Sequence, residues 1–177
     1  MKNLKANLPC TSYTLFRINI GWCGVVKNKK GMRRIFIGYS KRNQLIKHIT
    51  EEFGKTLTKE NPAGELIEKI NRYCLGEKIS FDRYTMDWSS LTPFQYAVLN
   101  ETMKIPYGTV VTYGSLARKI GFPRGFRAVG NALSKNPFPL LVPCHRIVRG
   151  DGKIGGFSAG GGKKLKEKLL RMEQANL

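Results

Sequence analysis

VVTYGSLARKIGF (residues 110–122) and GFRAVGNALSKN (residues 125–136) are the two stretches that decide the fold. Each predicts a short helix, because Thr112 can cap the first and Asn136, which precedes a proline, can end the second. Gly-Phe-Pro at 121–123 predicts the turn between them. Apolar residues at helical spacing predict the buried face: Leu116, Ala117, Ile120, Val129, Ala132 and Leu133. Two short helices around such a turn are typical of a helix-turn-helix, although two ordinary packed helices would give the same pattern.

The second of these helices has an unusually small surface. Gly125, Ala128, Gly130 and Ala132 surround Arg127. Glycine within a helix costs about 1 kcal/mol relative to alanine, so its presence indicates that something approaches closely. A smooth helix with one long cation could lie in a nucleic-acid groove, or it could pack tightly on a neighbouring helix.

The flanking segments predict a chain with two parts. Thr92 and Pro93 predict a capped helix start, with Phe94, Val98, Leu99 and Met103 on its apolar face. Upstream, three β-rich runs at 13–19, 22–26 and 33–39 predict a small antiparallel sheet, and two helices follow at about 41–53 and about 62–74. Residues 78–90 predict an irregular connection. We therefore expect an N-terminal α/β domain at 1–88 and a C-terminal domain at 89–177.

The charge is strongly positive, at +19 for 177 residues, and both halves of the chain are basic. Such a field favours a polyanionic partner through counterion release, although a generally basic solubility surface would look the same. No apolar run approaches the roughly 20 residues needed to span a bilayer, and the N-terminus has no apolar signal-peptide core. A soluble, cytoplasmic protein without a membrane partner is expected.

Six residues are candidate soft metal ligands: Cys10, Cys23, Cys74, Cys144, His48 and His145. Structural zinc sites hold closely to short ligand spacings, and Cys10 and Cys23 do not form such a pair. The pattern therefore predicts no metal. A chain of this size also has no need of disulfides.

LLVPCHRIV (residues 140–148) is the stretch that carries chemistry. Its apolar residues favour a β-strand, with Cys144 and His145 in the middle, after Pro143. A buried, inert cysteine is the ordinary interpretation. A neighbouring imidazole and arginine instead favour a reactive thiolate. Adjacent strand residues point to opposite faces, so the two side chains cooperate only if the chain bends or a water bridges them.

The order of motifs resembles the O6-alkylguanine-DNA alkyltransferase family over roughly 91–174. The matching segments are TPFQ (92–95), IPYGTVVTYGSLA (105–117), RAVGNAL (127–133), NPFPLLVPCHRIV (136–148), GKIGGFSAGG (152–161) and LLRMEQ (169–174). Residues 1–80 resemble the family only in outline. The resemblance implies an α/β protein, with a small N-terminal ribonuclease-H-like α/β domain and a mostly helical C-terminal domain carrying the helix-turn-helix. The zinc ligands of some members are not all present.

The resemblance also implies a role for each site residue. Cys144 is implied to accept the alkyl group, with His145 as its base through a water and Glu173 orienting that histidine. Asn136 is implied to be the hinge between the recognition helix and the cysteine segment. Tyr113 is implied to contact the phosphate backbone and to donate a hydrogen bond to the guanine ring.

The remaining implied roles concern DNA and the base pocket. Arg127 is implied to fill the gap left by an extruded nucleotide, with Ser115 and Gly130 as further DNA contacts. The implied pocket residues are Phe157, Ser158 and Val148. Phe157 is a departure from the family, since many members have tyrosine there; a phenyl ring can still stack on a base but lacks the hydroxyl.

The function so implied is one-time transfer of an alkyl group from O6-alkylguanine in double-stranded DNA to the protein, by a monomer without a cofactor. O4-alkylthymine is left open as a second substrate. Two alternatives remain. A non-catalytic DNA-binding regulator would use the helix-turn-helix alone, but the cysteine is present. A Cys–His hydrolase would place nucleophile and base far apart in sequence and would need an oxyanion hole.

Overall fold

The computed structural model describes residues 11–54, 57–60 and 64–174. Its N-terminal half contains β1 (Ser12–Ile18), β2 (Gly21–Asn28), β3 (Gly31–Tyr39), α1 (Arg42–Phe53), β4 (Thr58–Glu60) and α2 (Glu65–Cys74). Its C-terminal half contains α3 (Pro93–Met103), β5 (Val111–Thr112), α4 (Tyr113–Lys119), α5 (Phe126–Ser134), a 3-10 turn (Cys144–Arg146), β6 (Ile147–Val148) and α6 (Gly162–Met172). The expected α/β class, a small sheet unit joined to a helical part, is confirmed.

The N-terminal strands form a four-stranded sheet in the order β3-β2-β1-β4. The three predicted strands pair antiparallel, with Tyr13 opposite Val26 and Val25 opposite Ile35. The antiparallel pairing predicted for these three strands is confirmed, and a fourth strand, β4, which was not predicted, pairs parallel to β1. This strand has three residues, Thr-Lys-Glu, none of them buried, so it has no apolar alternation to reveal it.

The C-terminal half covers the open edge of this sheet at β3. Ile35 donates its backbone N–H to Pro137 O at 2.8 Å, and Gly160 donates to Ile37 O at 3.0 Å. An uncovered edge strand offers unpaired backbone groups to other chains, so this cover protects the sheet. It also anchors the chain on both sides of Cys144 to the rigid N-terminal strands.

Local capping explains where the C-terminal helices begin. Thr92 accepts from the backbone N–H of Gln95 at 3.2 Å and Gln95 bonds back to Thr92, which completes a capping box before Pro93. Thr112 caps α4 by accepting from Ser115 N at 3.1 Å. The turn at residues 121–123 then leads into α5.

One hydrophobic cluster joins the two halves. It includes Phe16 and Ile37 from the sheet together with Val98, Leu116 and Leu169 from the C-terminal helices. The two halves on either side of the predicted domain boundary, between residues 88 and 89, thus share one hydrophobic core. The boundary itself stays a prediction. No helix within the described ranges is long and apolar enough to cross a membrane.

Candidate active site around a buried cysteine

The backbone bends at Cys144. The β-favouring stretch 140–148 is not one strand, since Cys144–Arg146 form a 3-10 turn and only Ile147–Val148 pair, in parallel, with Val111–Thr112. Leu140 has a positive φ of 76°, and Pro143 offers no backbone N–H, so this segment does not continue as a strand. The bend removes the alternation that would have placed Cys144 and His145 on opposite faces.

Asn136 connects the end of α5 to the cysteine. Its amide nitrogen donates to Val142 O at 3.0 Å and to Cys144 Sγ at 3.1 Å. Its amide oxygen accepts from the backbone N–H of Phe138 at 2.9 Å. A single buried amide thereby holds the thiol in place relative to the end of α5, and the hinge role of Asn136 stays a prediction.

A buried polar cluster lies behind the cysteine. His145 Nε2 is 3.0 Å from Glu173 Oε1, and Arg146 holds the same carboxylate with Nε at 2.9 Å and Nη2 at 2.8 Å. Arg146 also donates to Ile105 O at 2.5 Å. Tyr73, from α2, donates its hydroxyl to Glu173, and that hydroxyl is 3.0 Å from His145 Nε2. All four side chains are buried.

These contacts define which ring nitrogen of His145 carries the proton. The Tyr73 hydroxyl proton is directed at Glu173, so both oxygens facing Nε2 act as acceptors and Nε2 must donate. The other nitrogen, Nδ1, is then an acceptor. It is buried and has no hydrogen-bond partner among the residues that the structure describes. Buried polar atoms are rarely left unpaired, so Nδ1 is suited to accept from one water molecule.

Burial and hydrogen bonding set the charges of the pair. Burial lowers the pKa of His145, with Glu173 partly offsetting it, so the imidazole is neutral near pH 7. Burial alone would raise the pKa of Glu173, but hydrogen bonds from His145, Arg146 and Tyr73 outweigh it and hold that pKa below its ordinary value. A neutral base backed by an ionised carboxylate can accept a proton.

The thiol itself is mainly un-ionised. Burial raises the pKa of Cys144, while the Asn136 amide and the charge of Lys166 partly lower it. Lys166 is fully buried and donates to Ile147 O at 2.5 Å. Burial lowers the pKa of Lys166 to about 8. Cys144 must therefore lose its proton before it can act as a nucleophile, and the next residue, His145, has an acceptor nitrogen without a partner among the described residues.

Cys144 opens onto a cavity of about 410 Å³. Its lining residues are Tyr113, Gly130, Leu133, Ser134, Cys144, Gly156, Phe157 and Ser158. Such a volume lies at the lower end of small-ligand sites, and it suits a flat aromatic group of the size of a nucleobase. The cavity is lined by α5 on one side and by the glycine-rich loop on the other.

Tyr113 and the glycine-rich loop are in close contact. A Cβ atom at Gly155 would lie 2.6 Å from the Tyr113 hydroxyl oxygen, a distance that no side chain could keep. Lys166 Nζ lies 5.8 Å from the centre of the Tyr113 ring. Gly155 is therefore required for the loop to approach this tyrosine and to close the cavity wall.

The other predicted site residues lie outside this cavity. Arg127 is exposed on α5. Ser115 takes part in the cap of α4, where its hydroxyl accepts from Thr112 at 3.0 Å and from Arg118 at 3.1 Å. Val148 pairs with Thr112 in the two-stranded sheet and is buried. The structure thus places Val148 away from the described lining of the base pocket.

Three buried residues around the site were not among the predicted site residues. Tyr73 falls within the helix predicted at about 62–74, and nothing in its own segment indicates a carboxylate partner. Arg146 belongs to the cysteine motif, and its position directly after Cys144 and His145 was a sequence signal for a role in the site. Lys166 lies among several lysines of α6, and the sequence does not distinguish it from its exposed neighbours.

Among residues 11–54, 57–60 and 64–174, no group of three or more His, Cys, Asp or Glu side chains could hold a metal ion. Cys10, one of the candidate ligands, lies outside these ranges. Cys23, Cys74 and Cys144 are free and buried.

The fold and the site define a basic helix-turn-helix protein with a free, buried cysteine at the wall of a pocket. Residues 93–175 match the family described as 6-O-methylguanine DNA methyltransferase, DNA binding domain. The methylated-DNA–protein-cysteine methyltransferase of Methanosarcina acetivorans is 33% identical over 161 residues, which is 91% of this chain and 97% of that protein. The chain belongs to the methylated-DNA–protein-cysteine methyltransferase family.

Two further comparisons agree. The enzyme of the same name from Methanothermobacter thermautotrophicus is 40% identical over 113 residues, which span 64% of this chain and 62% of that protein. The crystal structure of Mycobacterium tuberculosis OGT in complex with DNA superposes with a TM-score of 0.75 at 30% identity, covering 92% of each chain.

Proposed function

We infer that this protein repairs DNA by taking the alkyl group of O6-alkylguanine onto Cys144, once per molecule. The observation that supports this most directly is the position of Cys144 at the wall of the nucleobase-sized cavity, with the His145–Glu173 pair behind it. Family membership supports the same reaction. We place the protein in the cytoplasm, because the thiol must stay reduced, and we expect it to act as a monomer.

Base flipping is the first step. The target carbon lies inside the duplex, so the nucleotide must leave the stack before the sulfur can reach it. The extruded base would enter the cavity between Tyr113 and Phe157, which both line it. Arg127, exposed on α5, would fill part of the vacated space, as inserted side chains do in minor-groove complexes.

Alkyl transfer follows. The Cys144 thiol gives its proton through one water to His145 Nδ1, and the sulfur attacks the alkyl carbon in line. The carbon–oxygen bond breaks and its electron pair stays on the guanine oxygen. A hydrogen bond from the Tyr113 hydroxyl to the ring stabilises this anion, which takes a proton from solvent water, while the His145 imidazolium returns its proton to solvent. One proton is thus lost from the thiol and one gained by guanine, and the alkyl group ends in a thioether that water does not cleave.

The buried carboxylate makes this proton transfer possible. As His145 becomes an imidazolium, Glu173 is already ionised and 3.0 Å away. Arg146 holds the carboxylate by two parallel hydrogen bonds, so little rearrangement accompanies the proton transfer. Asn136 keeps the sulfur in place during the attack.

Mass spectrometry of the protein after incubation with duplex DNA containing O6-methylguanine tests the proposal. We expect one methyl group per protein molecule, located on the Cys144 peptide, and none on Cys144→Ser, which should still bind DNA. DNA binding without methylation would instead indicate a non-catalytic binder. More than one turnover per molecule would indicate a hydrolase. The same assay with O4-methylthymine DNA measures the second substrate.

A further inference from the structure

Phe126 lies on the face of α5 that leads to the cavity. Gly130 and Ser134 both line the cavity together with Cys144. Helix residues four positions apart lie on one face, and α5 runs from Phe126 to Ser134. Phe126, Gly130 and Ser134 are spaced in this way. Phe126 therefore lies one helical turn from Gly130, on the same face of α5.

This ring is exposed rather than packed. Phe126 is 50% exposed, and the guanidinium carbon of its neighbour Arg127 lies 5.7 Å from the ring centre. A half-exposed phenyl ring at the first turn of a helix contributes little to the core. Its contact with Arg127 keeps the cation on the same side of the helix as the ring.

The surroundings of the ring are cationic. The sequence contains no Asp or Glu from residue 102 to residue 150. The exposed basic residues of this stretch around the helix-turn-helix are Arg118, Lys119, Arg124, Arg127 and Lys135. An exposed apolar ring within a basic stretch of chain that lacks acidic residues matches a DNA groove, where phosphates meet the cations and an apolar side chain can enter between base steps.

We propose that Phe126 is a second wedge, which enters the minor groove beside Arg127 and stacks on a base next to the vacated position. This rests on the proposed function, because it assumes that a nucleotide is extruded. A flat ring is suited to replace stacking and a guanidinium to replace hydrogen bonds, so the two side chains have complementary tasks. Phe126 thereby stabilises the extruded state of duplex DNA in particular.

The first test is single-turnover methyl transfer by Phe126→Ala at saturating substrate. Base–aromatic stacking corresponds to about a tenfold effect or more, so we expect about tenfold slower transfer from duplex DNA. Transfer from free O6-methylguanine should change less than about twofold, because a free base needs no extrusion. Arg127→Ala should show the same contrast between substrates.

Phe122→Ala is the matched control. Phe122 is 53% exposed in the turn before α5, but it packs edge-on against Phe94 with ring centres 5.3 Å apart. Phe122→Ala removes the same number of atoms as Phe126→Ala, but Phe122 does not lie on the helix face that carries Gly130. Its rate of transfer from duplex DNA should therefore stay close to that of the parent. Equal slowing by both phenylalanine variants, or equal slowing of Phe126→Ala on duplex and free base, would overturn the proposal.

A second measurement follows the unstacking of DNA directly and does not depend on methyl transfer. In a Cys144→Ser background, 2-aminopurine placed beside O6-methylguanine should gain fluorescence as the neighbouring base unstacks. We expect Phe126→Ala to reduce this gain and Phe122→Ala to leave it unchanged. A parent protein that unstacks DNA but transfers no methyl would refute the proposed function while leaving the wedge standing. An unchanged signal from Phe126→Ala would refute the wedge.

Discussion

At Cys144, burial and the surrounding donors act on the thiol in opposite directions. Burial raises its pKa, while the Asn136 amide and the Lys166 charge lower it. The thiol is thus mainly protonated near pH 7, and a protonated thiol reacts more slowly with small alkylating molecules than a thiolate does.

Lys166 gives a pH-dependent prediction at this scale. Lys166→Met removes a buried cation beside Cys144, so the pKa of the thiol should rise and its reaction with iodoacetamide near pH 7 should slow about tenfold. The lysine has a pKa of about 8 and loses its charge above it. The rates of variant and parent should therefore differ most below pH 8 and approach each other above it.

The measurement is the alkylation rate of the Cys144 peptide between pH 6 and pH 10, followed by mass spectrometry. Lys164→Met is the control, because Lys164 is exposed on the same helix. If Lys166→Met is alkylated more slowly than the parent by the same factor at every pH, including above pH 8, the electrostatic role of Lys166 is contradicted.

At the scale of elements, the glycine-rich loop and α5 form the two walls of the pocket. The loop is positioned by close packing, because Gly155 touches the Tyr113 hydroxyl, while Lys166 lies 3.5 Å from Gly156 O. α5 is positioned by its buried residues and by Asn136 at its end. The cavity is therefore sensitive to small changes in loop position.

Gly155→Ala should displace the loop from Tyr113. Its new methyl group would lie 2.6 Å from the Tyr113 oxygen, so loop or ring must move. We expect slower transfer from duplex, single-stranded DNA and free base alike, by about tenfold, because the pocket itself changes. Gly150→Ala, in the turn just before this loop and with open space around it, should behave like the parent. Slowing confined to duplex DNA would show that the loop acts on extrusion instead.

At the scale of the whole molecule, the N-terminal half is part of the site. It binds the segments on both sides of Cys144 through the backbone of β3, and it contributes Tyr73 to the buried carboxylate. A C-terminal half on its own would expose the part of the hydrophobic core that it shares with the N-terminal half. Glu173 would also lose its hydrogen bond from Tyr73. The two halves thus act as one unit.

Tyr73→Phe tests this contribution. The variant keeps the ring and removes only the hydroxyl, so Glu173 and His145 lose a partner. A hydrogen bond to a charged group contributes about 1.5–3 kcal/mol, so we expect transfer at saturating substrate to slow by about tenfold or more while DNA affinity stays the same. Tyr107→Phe is the control, since within the described part of the chain its hydroxyl donates to main-chain carbonyls, those of Gly76 and Met172. An unaltered transfer rate in Tyr73→Phe would show that its hydroxyl serves stability alone.

Much of the fold was predictable because its signals are local. Thr92 and Thr112 mark helix starts through hydrogen bonds to residues three positions away. Alternation and helical spacing revealed β1 to β3, α3 and α5, since each side chain's burial follows from its own segment. Strand β4 was not predicted, because its three residues are polar and show no alternation. Their pairing with β1 depends on the tertiary structure and not on a local pattern.

For the site, the motif around Cys144 and its family resemblance predicted a reactive cysteine before any geometry was known. The sequence by itself thus determined the helix-turn-helix, the cysteine motif and the basic surface. Only the tertiary structure decided the bend at Cys144, the burial of Lys166 and the meeting of Tyr73 with Glu173, 100 residues apart in the chain. The physical reason is that capping and periodicity act within a few residues, whereas desolvation and buried hydrogen bonds depend on which distant segments fold over a group.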